Sequence, residues 1–387
     1  MICFIILFFA SCSKENMHPA PVPEPELPQR TIIGYLCGDN DLSSEINEKI
    51  TVLQQGMQNM GQTENHLIVY ADYNDKMPKL IEITSDNIIL LKQYVEQNSA
   101  SAANFAEILK TIMTDFPAKS YGLICFSHAN GWLPQGALNN PQRFATANYT
   151  NVDQSAVQNI FDDNGNEMTL SDFSAAIPSM QNGDKFEFII FEMCYMSGIE
   201  VAYELRNKTR YIISSAAEIL SNGFVEIYPE HLSDLFASVP LLQNFACAYF
   251  DYRNGLSSTA RSATVSLINT DKMEDLANIA GEIYDSEANI NIDNIQHFNR
   301  NKYHLFFDLS DYIQTMANPQ QLTNYQNIIS QIIEYQAATP KFMTGYPYSF
   351  IINNHCGITT YIKQSQFPYL NSEYDKTAWS QAINSTK

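Results

Sequence analysis

The sequence has 387 residues, of which 45% are hydrophobic, so it can form one large α/β domain or two smaller ones with a sizeable core. Asp and Glu number 42 against 22 Lys and Arg, and the formal net charge is −20. This charge repels nucleic acid and argues against an anionic membrane surface as the main ligand, whereas it attracts cationic substrates. The seven cysteines show no CxxC spacing, so no zinc or redox motif is predicted.

The amino terminus resembles a bacterial lipoprotein signal. Residues 2–10 form an apolar stretch too short to cross a bilayer, and small residues come directly before Cys12. We therefore expect a signal peptide at 1–11, lipidation of Cys12, and a Pro-rich extended tether at 12–30. These features predict a location in the bacterial cell envelope, lipid-anchored on the periplasmic side or the cell surface, or secretion.

Strands and helices alternate after the tether. This order is typical of an α/β sheet covered by helices. The predicted elements are strands at 31–37, 66–70, 121–127, 186–191 and 211–215, a hairpin-like pair around 79–91, and helices at 43–60, 101–116 and 199–208. A long exposed loop is expected at 133–157.

The last third of the chain predicts a less regular arrangement. Two helices flank a strand at 304–309, and a closing pair of strands follows at 348–353 and 357–362. We expect a core domain at 31–270 and a C-terminal part at 271–387. The pattern leaves open whether this part completes the main sheet or flanks it.

Two apolar strands end at reactive side chains. The strand at 121–127 leads into His128, and the strand at 186–191 leads to Cys194. Short unbroken apolar runs are typical of strands buried on both faces of a parallel sheet, where ligands bind beyond the carboxyl ends. If the two strands are neighbours, the imidazole and the thiol meet in one crevice, which predicts cysteine hydrolase chemistry.

The surroundings of Cys194 favour a reactive thiolate. A nearby imidazole and the amino terminus of the helix that begins near Ile199 would both stabilise it. Small residues beside the two strand ends, Ala129, Gly131 and Gly198, let backbone N–H groups approach an oxyanion. The alternative is that the His and the Cys are each structural. Three further histidines compete as bases: His231, His304 and His355.

Short motifs along the chain resemble the clostripain-like cysteine peptidases, whose fold is shared with caspases, gingipains and legumain. The motifs are YLCGDNDL at 35–42, LICFSHANGW at 123–132, MTLSDF at 168–173, IFEMCYMSGIEVAYELR at 190–206, and the segments 304–312 and 357–362. The resemblance covers residues 30–387. It implies a caspase-like α/β/α sandwich with a central, mostly parallel sheet and a C-terminal α+β extension.

The resemblance also implies roles for individual residues. His128 would be the catalytic base and Cys194 the nucleophile, with the N–H groups of Ala129 and Cys194 forming the oxyanion hole. The family usually has Gly after the His, where this chain has Ala129. An N–H is still present there, but the loop is less free.

A basic substrate preference follows from the same resemblance. The family tends to have Asp two residues before the Cys, in the pocket for the residue that precedes the scissile bond, and this chain has Glu192. Glu keeps the charge, so protein or peptide substrates with Arg or Lys are expected. Alternatively, Glu192 pairs with a structural Lys. Glu218 and Asn222, in the loop after the strand at 211–215, are further candidates for this pocket.

Family members often cut themselves between the His and the Cys. The basic residues of this interval are Arg143 and Lys185, and we expect self-cleavage after Arg143. No cofactor is expected, and calcium is an option that no motif supports. The resulting hypothesis is an endopeptidase that cuts after Arg or Lys. Two alternatives are an inactive peptidase-like surface lipoprotein that binds peptides or protein partners, and an unrelated cysteine hydrolase acting on amides or glycans.

Overall fold

The computed structural model describes residues 26–74, 76–144, 160–180, 183–284 and 290–385. Its strands are β1 Arg30–Gly38, β2 His66–Tyr73, β3 Lys76–Ile83, β4 Ile88–Gln93, β5 Ser120–Phe126, β6 Ile160–Asp163, β7 Asn166–Met168, β8 Phe186–Glu192, β9 Thr209–Ser214, β10 Thr264–Asn269, β11 Phe307–Asp308, β12 Ile333–Ala338, β13 Lys341–Phe342, β14 Phe350–Ile351 and β15 Thr359–Thr360. Its helices are α1 Ser43–Met60, α2 Ala102–Asp115, α3 Leu170–Ala176, α4 Ile199–Glu204, α5 Tyr228–Phe236, α6 Leu242–Gly255, α7 Met273–Ile283, α8 Leu309–Gln314, α9 Pro319–Ile332, α10 Pro368–Tyr374 and α11 Ala378–Ser385.

Nine strands form the main sheet, in the order β12-β10-β9-β8-β5-β1-β2-β3-β4. The five central strands, β9, β8, β5, β1 and β2, run parallel to one another. Antiparallel pairs extend the sheet on both sides, with β3 and β4 next to β2, and β10 and β12 next to β9. The central, mostly parallel sheet predicted from the sequence is therefore confirmed.

Both faces of this sheet are apolar, because successive side chains of a strand point to opposite sides. On β1, Ile33 and Tyr35 pack on one face, and Ile32 and Leu36 on the other. Helices α1, α5 and α6 cover the second face, while α2, α3, α4, α7, α9 and α11 cover the first. The result is an α/β/α sandwich. None of the helices in the described ranges is long and apolar enough to cross a bilayer.

The C-terminal part departs from the sequence-based expectation. The predicted strand at 304–309 is only β11, because the Asp308 side chain caps α8 by accepting the Asp311 N–H at 3.0 Å. The predicted closing strands do not pair with each other: β14 pairs with β13, and β15 with β11. The C-terminal strand that joins the main sheet is β12, which the sequence did not predict.

Candidate active site

The register of β5 and β8 brings two strand ends together. These strands are parallel neighbours, and Phe126 lies opposite Glu192. His128 and Cys194 each come two residues after this matched pair. Since both strands run in the same direction, the imidazole and the thiol follow the same carboxyl edge of the sheet, as the apolar strand pattern predicted.

His128 contacts a carboxylate at this edge. Its Nε2 lies 2.6 Å from Oδ1 of Asp41, and the two side chains are 43% and 80% exposed. Asp41 follows β1, the parallel neighbour of β5, so its turn lies at the same edge. A carboxylate in this position fixes the orientation of an imidazole and selects its tautomer. Sequence reasoning missed Asp41, although the polar turn 38–41 after a buried strand was a usable signal.

The segment after His128 is braced by its neighbours. Ala129 is buried and forms a bridge with Ile160 of β6. Gly131 has a φ of +60°, and a Cβ atom there would come within 2.8 Å of the Tyr195 carbonyl oxygen. Only glycine allows this approach between the two strand-end segments without strain. The oxyanion-hole roles of the Ala129 and Cys194 N–H groups stay predictions.

Cys194 is half-buried, and its Sγ lies 3.9 Å from the carbonyl oxygen of Ile219. Burial raises the pKa of Cys194 to about 12, and the Glu218 carboxylate also raises it. The contact with the Ile219 carbonyl and the charge of the Arg300 guanidinium lower this pKa, but by less than burial raises it. The thiol is therefore protonated at neutral pH in this conformation. Helix α4 begins shortly after Cys194, as expected.

Glu192 is enclosed by hydrogen-bond donors. Its Oε2 accepts from Lys49 Nζ at 2.6 Å and from the Phe224 N–H at 2.8 Å, and its Oε1 accepts from the Tyr228 hydroxyl at 2.5 Å. The Lys49 and Glu192 side chains are each 1% exposed. The expectation that Glu192 meets the substrate is at odds with this arrangement, because both carboxylate oxygens are occupied within the protein. The geometry is that of the alternative, a pair with a structural lysine.

The other two candidates for the substrate pocket, Glu218 and Asn222, make different contacts. Glu218 forms a two-point ion pair with Arg300, in which Nε–Oε2 is 2.5 Å and Nη2–Oε1 is 2.9 Å. Asn222, at φ +75°, braces the loop through its backbone: its N–H donates to Glu45 Oε2 at 3.0 Å, and its carbonyl accepts from Lys49 Nζ at 3.3 Å. Glu218 is thus the candidate whose carboxylate already binds a guanidinium.

Lys49 and Arg300 were also missed by sequence reasoning. Lys49 had a signal in the sequence, since it interrupts the apolar stripe of α1 next to Ile50. The structure buries it fully. Arg300 had none, because the chain that carries it is far from Cys194 in sequence and has no recognisable motif.

The competing histidines have other contacts. His231 Nδ1 lies 2.9 Å from Asp234 Oδ2 on α5. His304 stacks on His297 with ring centroids 3.4 Å apart, and burial lowers its pKa. His355 lies edge-on to Phe298, and burial lowers its pKa to about 4. The His304 and His355 rings are therefore neutral at neutral pH.

The acidic turn at 163–166 connects β6 and β7, and the Asp163 carboxylate accepts the Ser99 N–H. Within the described ranges, no group of three or more His, Cys, Asp or Glu side chains is arranged to hold a metal ion.

Two sequence-based predictions concern processing. Cys12 lies outside the described residues, so its lipidation stays a prediction. The backbone at Arg143 forms a short 3-10 turn, Pro141–Phe144. Self-cleavage after Arg143 also stays a prediction.

The α/β/α sandwich, with a cysteine and a histidine after neighbouring parallel strands, defines the class of cysteine peptidases with a caspase-like fold. A model of the clostripain family matches residues 34–385, and the chain belongs to that family. It is therefore a cysteine peptidase, a hydrolase that acts on peptide substrates. No curated protein sequence matches the chain.

Solved structures support this assignment. An inactive zymogen C11 protease from Parabacteroides distasonis is 27% identical over 93% of this chain and 99% of its own, with a TM-score of 0.79. A secreted C11 cysteine protease from Bacteroides thetaiotaomicron, in complex with an irreversible peptide inhibitor, is 25% identical over 92% and 98%, with a TM-score of 0.75.

Proposed function

We propose that the protein is an endopeptidase that cuts after Arg or Lys through a Cys194–His128 dyad. The observation that carries this proposal is the register of β5 and β8, in which both residues follow matched positions of neighbouring parallel strands. Membership of a cysteine peptidase family supports the same roles.

In the proposed reaction, His128 takes the proton from the Cys194 thiol, and Sγ attacks the carbonyl carbon of the scissile bond. The N–H groups of Ala129 and Cys194 would bind the oxyanion of the tetrahedral intermediate. His128 then donates the proton to the leaving amine, and water hydrolyses the thioester. Asp41 would hold the imidazole in its working orientation throughout, which its 2.6 Å contact with His128 supports.

We assign the basic preference to Glu218 rather than to Glu192. The Glu218 carboxylate binds the Arg300 guanidinium at two points, the geometry that a substrate arginine would use. Glu192 is held by Lys49 inside the core. The net charge of −20 adds a general attraction for cationic substrates.

We also propose that the chain is made as a precursor. Burial raises the pKa of Cys194, which disfavours the thiolate that would attack a peptide bond. The similar Parabacteroides distasonis protein is an inactive zymogen. Self-cleavage after Arg143 would be the activating step, in a protein held at the cell envelope through Cys12.

The test combines mass spectrometry with peptide kinetics. Wild-type protein is expected to cut itself after Arg143 and then to hydrolyse fluorogenic Arg and Lys peptides, but not Asp peptides. Cys194→Ala and His128→Ala should remain uncut and inactive. Arg143→Ala should also remain uncut, whereas the matched control Lys185→Ala should be processed normally.

Two outcomes would contradict the proposal. A cut after Arg143 that persists in Cys194→Ala would identify another protease as the processing enzyme. An absence of turnover by protein cleaved after Arg143 would favour the inactive, peptide-binding alternative.

A further inference from the structure

An arginine from the C-terminal part of the chain lies in the electrostatic environment of Cys194. Arg300 and Glu218 form a two-point pair. Burial and the Ile219 contact have the largest effects on the pKa of the Cys194 thiol; of the smaller effects, the Glu218 charge raises this pKa and the Arg300 charge lowers it. Their side chains are 23% and 25% exposed, so the pair is neither enclosed in the core nor free in solvent.

We infer that Arg300 is an internal mimic of the substrate's basic side chain, which occupies Glu218 and has to be displaced before an Arg or Lys side chain can bind there. A guanidinium on a carboxylate at two points is how a protein recognises a substrate arginine. This inference deepens the proposed function and rests on it for the identity of the substrate.

The loop that carries Arg300 is held in shape independently of Glu218. Asn299 is fully buried; its Oδ1 accepts the Leu305 N–H at 2.9 Å, and its Nδ2 donates to the Tyr303 carbonyl at 2.8 Å. These bonds close the loop 299–305. Because the loop is pre-formed, little conformational entropy is lost when Arg300 pairs with Glu218.

The same loop is fixed beside the nucleophile. Phe306, the residue directly after this loop, stacks on Tyr195, the residue after Cys194, with ring centroids 4.5 Å apart and planes 8° from parallel. The stack anchors the loop, while the guanidinium itself stays partly exposed and exchangeable. Displacement of Arg300 therefore requires movement of one side chain and no unfolding of the loop.

A contact links the loop to the processing segment. Asn301 Nδ2 donates to Asn139 Oδ1 at 3.3 Å, and Asn139 comes shortly before the 3-10 turn that contains Arg143. The Arg300 loop is thus in contact with the segment in which self-cleavage is proposed.

The expected change in peptide affinity follows from the fraction of time that Arg300 is bound to Glu218. A site that is free for only a fraction of the time has an affinity reduced by that fraction. If Arg300 occupies Glu218 for about nine-tenths of the time, its removal strengthens the binding of a basic peptide about 10-fold. A neutral peptide that binds without displacing Arg300 from Glu218 should gain nothing.

The experiment measures binding without catalysis, in the full chain carrying Cys194→Ala. The probes are a fluorescent peptide ending in arginine and its analogue ending in citrulline, which is neutral but isosteric. Arg300→Gln should bind the arginine peptide about 10-fold more tightly and the citrulline peptide equally well. The matched control Lys302→Gln, which removes a positive charge on the same loop that packs over Tyr303, should change neither affinity.

An arginine-peptide affinity that is unchanged or weaker in Arg300→Gln would overturn the inference. If that variant does not fold, Arg300→Lys is measured instead. It keeps the charge but loses the two-point geometry, so an intermediate affinity is expected and an unchanged one overturns the inference. Tighter binding in a protein without turnover would refute only the endopeptidase proposal, and turnover on Arg peptides with no change in binding would refute only the role of Arg300.

Discussion

Two ion pairs of similar composition, Lys49 with Glu192 and Arg300 with Glu218, differ in their access to solvent. Lys49 and Glu192 are each 1% exposed, and the carboxylate has further bonds from Phe224 and Tyr228. Arg300 and Glu218 are 23% and 25% exposed. Its position two residues before Cys194 favoured Glu192 as the carboxylate that binds the substrate. The greater exposure of Glu218 favours Glu218 instead.

Under the proposed function, the two carboxylates serve different purposes. A buried pair cannot exchange its partner without leaving a charge unsolvated, so Glu192 fixes the loop after β9. A side chain at Gly223, which lies against Glu192, would collide with that carboxylate. A partly exposed pair can exchange one cation for another at small cost, as a specificity site requires.

The largest expected effect comes from breaking the buried pair. Lys49→Met keeps the length of the side chain but leaves Glu192 charged and without its cation. We expect a loss of about 3–5 kcal/mol in the free energy of unfolding, measured by urea denaturation. Lys272→Met, which breaks an exposed pair with Asp275, should cost less than about 1 kcal/mol.

The double variant Lys49→Met/Glu192→Gln sharpens this result. Removal of the unpaired charge should recover part of the stability that Lys49→Met loses. If Lys49→Met alone unfolds like the Lys272→Met control, the pair does not stabilise the fold, and the structural role assigned to it is wrong.

A third pair, His128 with Asp41, is the most exposed of the three. Asp41→Asn should lower kcat about 10-fold with little change in KM, because the imidazole loses its orienting carboxylate but keeps a neutral partner of the same shape. Steady-state kinetics on an Arg peptide measures both constants. Asp86→Asn, in the exposed turn between β3 and β4, is the control. A raised KM with unchanged kcat would instead indicate that Asp41 contacts the substrate.

Local patterns predicted the parallel part of the fold well. Helix α1 occupies the predicted range 43–60, and β5 and β8 lie within one residue of their predicted positions. These elements have strong apolar periodicity and clear polar boundaries. The C-terminal part was predicted poorly, because short strands such as β11 and β15 depend on pairing with partners distant in sequence.

The candidate site divides in the same way. His128 and Cys194 could be found because each follows an unbroken apolar strand, and β5 and β8 are adjacent. The residues that pair with the carboxylates of Asp41, Glu192 and Glu218 were harder to predict from the sequence. Arg300 is distant from Glu218 in sequence and contacts it only in the folded chain. Glu192 is more buried than Glu218 because it packs against Lys49 of α1, and no short motif encodes that packing.

The measurement that tests the account most directly is the ratio of kcat/KM for a peptide with arginine before the scissile bond to that for its citrulline analogue. Glu218→Gln should lower this ratio about 10- to 100-fold, because it removes the charge but not the shape of the site. The control Glu226→Gln should leave the ratio unchanged. An unaltered ratio in Glu218→Gln would contradict the assignment of Glu218 as the carboxylate that selects basic substrates.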